Sequence, residues 1–384
     1  MIDRLKILNF KAFASEEVRL ASYTLLSGLN SSGKSTVLQA LALIRQAWSQ
    51  NLLQDHDDSG GFPLNGELVE LGTGQDVLHE DHLTPPGEQA EIGFSLSAES
   101  ARPFEWRALY SREDDLLPLT ACSPSAADSF SEGDAEEDAT FTLFNEGFQY
   151  LRADRITPAV TYPRSYEMSV RRGFLGVRGE YTVDYLRIYQ DEPVQFKTLH
   201  HPTASPRLLD QVQAWMSEIC PGVRIVAGPI AHTDLVSLGF QFARKGQLTT
   251  EPHRPTNVGF GLTYVLPVIM ACLTARPGSM ILLENPEAHV HPQGQSAMAR
   301  LTCAAAAIGA QLVVETHSDH ILNGVRLEVK RGAVRPDDVA LHYFRREDDG
   351  VCILSPAIGR DGMLSEWPEG FFDEWDRSLD QLLD

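Results

Sequence analysis

A glycine-rich segment near the amino terminus constrains the fold of this 384-residue chain more than any other feature. Residues 28–35 read G-L-N-S-S-G-K-S and match the pattern G-x-x-x-x-G-K-[ST] in full. An apolar, strand-like run at 23–26 precedes the segment, and apolar residues at helical spacing follow it between residues 37 and 48. A strand, a tight loop and a helix in this order are typical of a loop that wraps the phosphates of a nucleotide.

The residue types of this loop fit phosphate chemistry. Glycines let the backbone approach the phosphates, while consecutive N–H groups and the positive end of the helix face the phosphate oxygens. We predict that Lys34 reaches the β- and γ-phosphates of ATP and that the Ser35 hydroxyl binds Mg²⁺. The predicted nucleotide-binding residues are Gly28, Asn30, Ser31, Ser32, Gly33, Lys34, Ser35 and Thr36.

A second strand end supplies the carboxylate that such a loop needs for its metal ion. Residues 279–283 form an apolar run that ends at Glu284, which we predict to join Ser35 in the Mg²⁺ shell. The chain continues as N-P-E-A-H-V-H-P at 285–292. Another apolar run at 311–314 leads into E-T-H-S.

The pattern of apolar residues changes twice along the chain. Both ends show the strand and helix periods of an α/β unit, whereas the middle shows short alternating runs typical of antiparallel strands. We therefore predict a nucleotide-binding head at 1–50 and 251–384, and an inserted β-rich and helical region at 51–250 for sensing or partner binding, with an acidic, solvated loop at 113–138. Strands inside the insertion are predicted at 91–96, 104–110 and 140–144.

Composition limits the location and the partners of the chain. The 53 acidic and 32 basic residues give a net charge of −21, which repels a long DNA duplex unless a local basic stripe makes the contact. The five cysteines are scattered without C-x-x-C spacing, as expected in a reducing cytoplasm. The uncharged run at 258–275 contains glycines and a proline, and so predicts a buried core helix. We expect a cytoplasmic protein without a membrane segment.

The order of these motifs resembles the ABC-type ATPases of the RecF, SMC and OLD group. The shared features are the P-loop, a long insertion, E-N-P-E-A-H-V-H-P after one strand and T-H-S after the next. The ending W-P-E-G-F-F-D-E-W at 367–375 resembles the tail of bacterial defence-associated AAA-family ATPases with a C-terminal domain of unknown function. The resemblance implies an α/β fold: a P-loop NTPase with an ABC-type head, in which helices flank a mixed β-sheet, and an inserted β-rich lobe.

The resemblance also implies roles for residues outside the P-loop. His317 would be the switch histidine, which touches the γ-phosphate or the attacking water. Residues 286–292 would cross a dimer interface, and residues 256–263 would form the signature loop that caps the ATP of the opposite subunit. Lys11, in the turn after the first strand, would meet the nucleotide, although a solvated surface lysine is an equal reading. The signature residues would be Asn257, Gly259, Gly261 and Thr263.

The residue after Glu284 departs from the family pattern. Related cassettes carry two acidic residues in a row there, and the second orients or deprotonates the attacking water, whereas this chain has Asn285. An amide holds water by hydrogen bonding but is not a useful base at neutral pH. We therefore predict slow hydrolysis, with Glu287 or His317 as the alternative base. The other alternative is that positioning and charge supply most of the catalysis, so that Asn285 costs little.

Two other groups of residues remain open to several interpretations. His289 and His291 have the H-x-H spacing of a zinc site, although the resemblance explains them as part of the interface loop. Arginines and tyrosines cluster from residue 150 to 178, with the arginines between Arg152 and Arg178. This cluster fits nucleic-acid binding, a protein interface or an ordinary strand surface.

These features predict an ATP-binding and ATP-hydrolysing cassette that forms a homodimer around ATP and Mg²⁺, with a higher oligomer as the alternative. Nucleotide state would switch its conformation. The resemblance implies a role in bacterial anti-phage defence with a separately encoded effector such as a nuclease. The alternatives are a DNA-repair ATPase that binds DNA directly, and a non-hydrolysing ATP-dependent scaffold that restrains an effector.

Overall fold

The computed structural model describes residues 1–53, 60–99, 101–123, 141–243, 249–347 and 350–372, together with residues 379, 381 and 382. The β-strands are β1 (Arg4–Phe10), β2 (Phe13–Arg19), β3 (Tyr23–Gly28), β4 (Gly61–Pro63), β5 (Glu91–Ala98), β6 (Ala101–Leu109), β7 (Leu116–Ser123), β8 (Gln149–Leu151), β9 (Thr161–Pro163), β10 (Val223–Pro229), β11 (Leu235–Phe242), β12 (Met280–Glu284), β13 (Gln311–Glu315), β14 (Val339–Glu347) and β15 (Gly350–Leu354). The α-helices are α1 (Lys34–Ser49), α2 (Gly74–Val77), α3 (Thr182–Tyr189), α4 (Leu208–Ser217), α5 (Phe260–Leu273), α6 (Pro292–Ala307) and α7 (Asp319–Lys330).

The chain divides into two compact units. The first contains residues 1–145 and 340–355, and the second contains residues 146–339 and 356–384. The predicted insertion at 51–250 is therefore split between the two units. The boundaries of the compact units fall at other positions than the boundaries that were inferred from the motifs. The division into head and insertion stays a prediction about function.

An antiparallel sheet of order β2-β1-β5-β6-β7-β4 forms the larger part of the first unit. In β1, Leu5 and Ile7 are buried while Arg4 and Lys6 are exposed, which is the period-two pattern of a strand with one face on the core. The strands predicted at 91–96 and 104–110 are confirmed as β5 and β6. Residues 116–123 of the predicted acidic loop form β7, and residues 124–138 lie outside the described residues.

The strand predicted at 140–144 is wrong, because Thr142–Phe144 is a 3₁₀ helix. Such a turn places residues three apart on the same side. It brings the rings of Phe141 and Phe144 to 6.3 Å from each other and places both against Phe104, at 5.0 and 6.2 Å between ring centroids. Aromatic packing therefore outweighs the local preference of this segment for a strand.

The strand that leads into the P-loop is β3. Its first five residues are buried, as expected of a strand covered on both faces, and it neighbours β14. Its last residue, Gly28, has a φ of +140°, and a Cβ there would lie 2.1 Å from the carbonyl oxygen of Phe344 in β14. The close approach of β14 thus requires glycine where the chain leaves β3.

The second unit contains a parallel arrangement in which β12 lies between β13 and β8. Residues 280–283 are all buried, and Leu282 lies opposite Val313 on one side and Tyr150 on the other. A separate antiparallel sheet has the order β10-β11-β9. The three-residue strand β8 belongs to the predicted insertion by sequence but pairs directly with the strand of Glu284.

The uncharged run at 258–275 is confirmed as a core helix. Helix α5 is buried over nearly its whole length and contains Pro267 near its middle. In the part of the chain that the structure describes, no helix combines the length and the apolar character needed to cross a membrane.

We predict that Gly28→Ala lowers the free energy of unfolding by about 2–6 kcal/mol, because backbone strain of about 1–3 kcal/mol adds to overpacking of about 1–3 kcal/mol. Gly332→Ala is the matched control, since Gly332 also has a positive φ, of +75°, but has open space around it. This control should lose only about 1–2 kcal/mol. Chemical denaturation measures both variants, and equal losses would contradict the close approach of β14.

Candidate nucleotide-binding site

The P-loop lies in the first unit, at the start of the 16-residue helix α1. Gly33, the N-cap residue, has a φ of 97° and no side chain to cap the helix, and the first turn contains no acidic residue. The amino end of a helix carries a partial positive charge and unpaired N–H donors. An uncapped end of this kind fits a phosphate group.

Lys34 is buried within the loop. Its Nζ donates hydrogen bonds to the carbonyl oxygens of Gly28, at 3.0 Å, and Leu29, at 2.6 Å. The Ser32 hydroxyl donates to the same Leu29 oxygen at 2.7 Å. The ammonium group is therefore held inside the curve of the loop, where the chemistry of the donors fits the phosphates of ATP.

The remaining predicted nucleotide-binding residues differ in exposure. Asn30 and Ser31 are exposed at the tip of the loop, and Thr36 is buried in α1. Lys11 lies in the same unit, has a φ of 49°, and donates from Nζ to the Gln39 side chain in α1 at 2.7 Å. Lys11 is thus attached to the helix that follows the P-loop, and its role toward a nucleotide stays a prediction.

The second unit brings together the four predicted catalytic residues, which we call the acidic edge: Glu284, Asn285, Glu287 and His317. Glu284 lies opposite Glu315 in the parallel register of β12 and β13, so both strands end at the same edge. The Asn285 N–H donates to the Glu315 carbonyl oxygen at 2.8 Å, and the His317 N–H donates to Glu287 Oε1 at 2.8 Å. These bonds join the two segments that follow the strands.

The Glu284 carboxylate has two donors from the segment around β8. The Tyr150 hydroxyl donates to Oε1 at 2.5 Å, and the Ala153 N–H donates to Oε2 at 3.0 Å. Burial raises the pKa of Tyr150 well above its ordinary value, and the neighbouring Glu284 charge raises it further, so this hydroxyl stays a donor. A carboxylate accepts about four hydrogen bonds or ligands. Glu284 therefore keeps acceptor capacity that fits a Mg²⁺ ion.

Arg155 is the largest fully buried side chain of the described residues, with 1% of its surface exposed. Its Nη2 donates to the carbonyl oxygens of Glu284, at 2.5 Å, and Asn285, at 3.1 Å. Burial lowers the pKa of Arg155 to about 10, against the opposing effect of the Glu287 and Glu284 charges. The side chain therefore remains charged at neutral pH, beneath the acidic edge.

Sequence reasoning missed both Tyr150 and Arg155 as parts of the site. Both were placed in the Arg–Tyr cluster, for which only surface roles were considered. A strand of three residues carries too little periodicity to be recognised. The one available signal was the short run Q-Y-L before the arginines.

Asn285 and Glu287 occupy unusual surroundings. Asn285 has a φ of 42°, in the left-handed region that asparagine tolerates better than most residues. Among the described residues, neither Asn285 Oδ1 nor Glu287 Oε2 has a hydrogen-bond partner, and both atoms are buried. One oxygen of Glu287 is thus engaged with the His317 backbone, and only the other is left to accept a proton.

The predicted signature residues surround the start of α5. Asn257 and Gly259 are exposed, no side chain caps the helix, and its first turn contains no acidic residue. A Cβ on Gly261 would lie 2.4 Å from the His289 carbonyl oxygen, so glycine permits the contact between α5 and the loop at 286–292. Thr263 is 3% exposed, which places its hydroxyl inside the unit rather than at the surface.

The two histidines of the H-x-H sequence have different neighbours. The His289 ring packs against Phe260 and Tyr264, at 5.7 and 4.9 Å between ring centroids. The His291 ring accepts a hydrogen bond from the Gln293 N–H at 3.4 Å, at the start of α6. Over the described ranges, no group of three or more His, Cys, Asp or Glu side chains is placed to hold a metal ion.

The arginines of the Arg–Tyr cluster are mostly paired with carboxylates. Arg152 and Arg178 lie 2.9 and 3.7 Å from Asp154, Arg171 lies 3.3 Å from Glu167, and Arg164 lies 3.9 Å from the buried Asp184. The predicted DNA contact through residues 152–178 excludes Arg155, which is buried. Binding of a phosphate by the others would compete with these acidic partners.

Solved structures identify the class of the fold as the ABC-type P-loop ATPase head, as predicted. The “SmcHead bound to the C-winged helix domain of ScpA” is 13% identical, with a TM-score of 0.52, and the match covers 94% of this chain and 98% of that one. The “Smc head domain with an extended coiled coil bound to the C-terminal domain of ScpA derived from Pyrococcus furiosus” is 12% identical, with a TM-score of 0.50 and full coverage of both chains.

The chain belongs to the family described as “AAA domain, putative AbiEii toxin, Type IV TA system”, whose profile matches residues 24–323. Residues 334–382 match a second family, described as “Protein of unknown function (DUF3696)”. The OLD nuclease of Thermus scotoductus (strain ATCC 700910 / SA-01) is 26% identical over 371 residues. That match covers 91% of this chain but 65% of the OLD nuclease, so the chain spans less than two thirds of this relative. The predicted relation to the RecF, SMC and OLD group is confirmed.

Removal of the Lys34 ammonium should weaken ATP binding. A hydrogen bond to a charged group contributes about 1.5–3 kcal/mol, so we predict that Lys34→Ala lowers ATP affinity about 10- to 100-fold or more. Isothermal titration calorimetry measures the affinity. Lys6→Ala is the control, because Lys6 is an exposed residue of β1 in the same unit. Unchanged affinity in Lys34→Ala would contradict the nucleotide site.

Proposed function

We propose that this ATPase-family protein binds ATP with Mg²⁺, hydrolyses it slowly, and uses the nucleotide to control a homodimer. The observation that carries the proposal is the uncapped amino end of α1, with Lys34 held inside the loop before it. Ser35 and Glu284 are assigned to the Mg²⁺ ion, which supplies positive charge to the β- and γ-phosphates when bound. The chain's own contribution is to orient the nucleotide and the attacking water.

Each residue of the acidic edge has a proposed task. Glu284 is oriented by Tyr150 and Ala153, which fix both of its carboxylate oxygens. Glu287 links the loop after β12 to the backbone of His317. The His317 side chain is assigned to the γ-phosphate or to the attacking water, in agreement with its position on the segment after β13.

Slow turnover is supported by the chemistry of Asn285. Its amide cannot accept a proton usefully at neutral pH, and the loss of a general base lowers rates by about 10²–10⁴-fold. Glu287 offers one buried oxygen as a substitute base. A long-lived ATP-bound state fits a switch. If the rate of hydrolysis is negligible, the same state fits the second candidate function, a scaffold that holds an effector without hydrolysis.

The dimer is supported by the start of α5. Asn257 and Gly259 are exposed at an uncapped helix end, which suits the phosphates of ATP bound by a partner subunit. Phe260, next to them, is 52% exposed, so its ring is accessible to a partner subunit at the same surface. Thr263 is not part of this surface in the present conformation.

The biological role that we propose is cytoplasmic anti-phage defence in bacteria, with a separately encoded effector such as a nuclease. The support is the family description, which names a toxin and a toxin–antitoxin system, and the likeness to an OLD nuclease. Direct DNA repair is less well supported, because the net charge is −21 and the arginines of residues 152–178 have acidic partners.

ATP with Mg²⁺ should increase the mass in solution from that of a monomer to that of a dimer, because each site needs the signature loop of the other subunit. Analytical ultracentrifugation with and without ATP measures this change, and Lys34→Ala should not respond.

Gly259→Glu should lower ATP turnover more than Gly259→Gln, since a carboxylate there would repel the partner's ATP. Gly259 has open space around it, so neither change strains the fold. Equal turnover in both variants would contradict the composite site.

Asn285→Asp should hydrolyse ATP faster than the wild type, by up to about 10²-fold, because it restores a base. Aspartate also tolerates the left-handed backbone of residue 285 better than glutamate does. Steady-state phosphate release should show a wild-type kcat below the usual range of about 1–10³ s⁻¹. Rapid wild-type turnover that collapses in Glu287→Gln would overturn the slow switch and assign the base to Glu287.

A further inference from the structure

Arg155 has surroundings that stability alone does not explain. Burial of a guanidinium lowers stability unless its charge and its donors are satisfied. Among the described residues, Arg155 Nε and Nη1 have no hydrogen-bond partner, and only Nη2 is engaged. An apolar side chain of the same size would fill this space at lower cost.

The single engaged nitrogen is directed at the backbone of the acidic edge. Nη2 donates to two successive carbonyl oxygens, those of Glu284 and Asn285. These carbonyls lie at the point where β12 ends and the chain turns through the left-handed Asn285. Arg155 therefore holds the two peptide groups that determine where the Glu284 and Asn285 side chains point.

Two other bonds act on the same turn. The Asn285 N–H donates to the Glu315 carbonyl oxygen at 2.8 Å, and the Asn285 carbonyl oxygen accepts a second bond from the Ala288 N–H at 3.1 Å. A left-handed non-glycine residue is strained and persists only when its surroundings hold it. The Arg155 guanidinium adds a restraint from a side chain outside the turn.

We propose that Arg155 is a positioning residue for ATP hydrolysis, which holds the Glu284–Asn285 backbone in the geometry that the reaction needs. The proposal rests on the proposed function of the acidic edge and adds to it a residue that acts through the backbone. Tyr150 acts on the Glu284 carboxylate, whereas Arg155 acts on the backbone. Tyr150 in β8 and Arg155 after it thus orient the acidic edge in two independent ways.

The first test separates positioning from stability. Arg155→Met should lower kcat about 10- to 100-fold and leave KM for ATP unchanged. Displacement of the Glu284–Asn285 backbone moves the reacting groups apart, which slows the chemical step without changing ATP binding. Arg155→Lys should recover part of kcat, since an ammonium can donate to one of the two carbonyls. Arg187→Met is the control, because Arg187 bonds the buried Asp184 at 2.7 Å in the same unit. It should lower the melting temperature without lowering kcat at 25 °C.

The second test does not depend on turnover. Hydrogen exchange followed by mass spectrometry should show faster exchange of residues 285–290 in Arg155→Met, and unchanged exchange of this segment in Arg187→Met. Tyr150→Phe should lower kcat without this change in exchange, and Tyr185→Phe, whose ring packs on Tyr189, is its control.

Unchanged exchange at 285–290 in Arg155→Met would overturn the positioning role. A kcat in Arg155→Met equal to that of the wild type would also overturn it. A wild-type chain that neither binds nor hydrolyses ATP would instead refute the proposed function. In that case the exchange comparison still decides whether Arg155 holds the backbone.

Discussion

Parallel pairing of β12 with β8 on one side and β13 on the other is the constraint on which the acidic edge depends. Parallel strands end at the same edge of a sheet, so the segments that follow them must meet there. Residues 152–155, 285–287 and 315–317 are these segments. The hydrogen bonds from Tyr150, Ala153, Arg155 and His317 each join β12, or the segment that follows it, to a neighbouring strand or the segment after that strand.

The charges at this edge compensate one another only in part. Two carboxylates, Glu284 and Glu287, lie close enough to the buried Arg155 guanidinium to counteract the effect of burial on its pKa. That guanidinium offsets negative charge at this edge, and charges interact more strongly where burial limits their contact with water. Arg155 therefore supplies a positive charge beside both carboxylates and also holds the backbone between them.

The sequence was informative where a residue type and its neighbours both point to one chemistry. The P-loop was predicted with its strand and helix, and the apolar runs that lead into Glu284 and into E-T-H-S are the strands β12 and β13. Such predictions work because strand ends and helix starts have local signals.

Other features depend on contacts that no local pattern records. Strand β8 is too short to recognise, so Arg155 was expected at a surface although it is buried. Thr263 was expected to face a partner, but the first turn of α5 directs it inward. The 3₁₀ turn at Thr142–Phe144 results from ring packing against Phe104, a residue of a distant strand. These outcomes are decided by tertiary packing, which overrides local preference.

The long sequence separation within the acidic edge also orders events during synthesis. The ribosome adds 134 residues after Tyr150 before it reaches Glu284, which takes roughly 7–27 s at about 5–20 residues per second. During this interval Arg155 has no carbonyl partners and its charge stays in water. The growing polypeptide therefore carries its phosphate-binding loop early, and it gains the residues proposed to govern hydrolysis only after β13 has been translated.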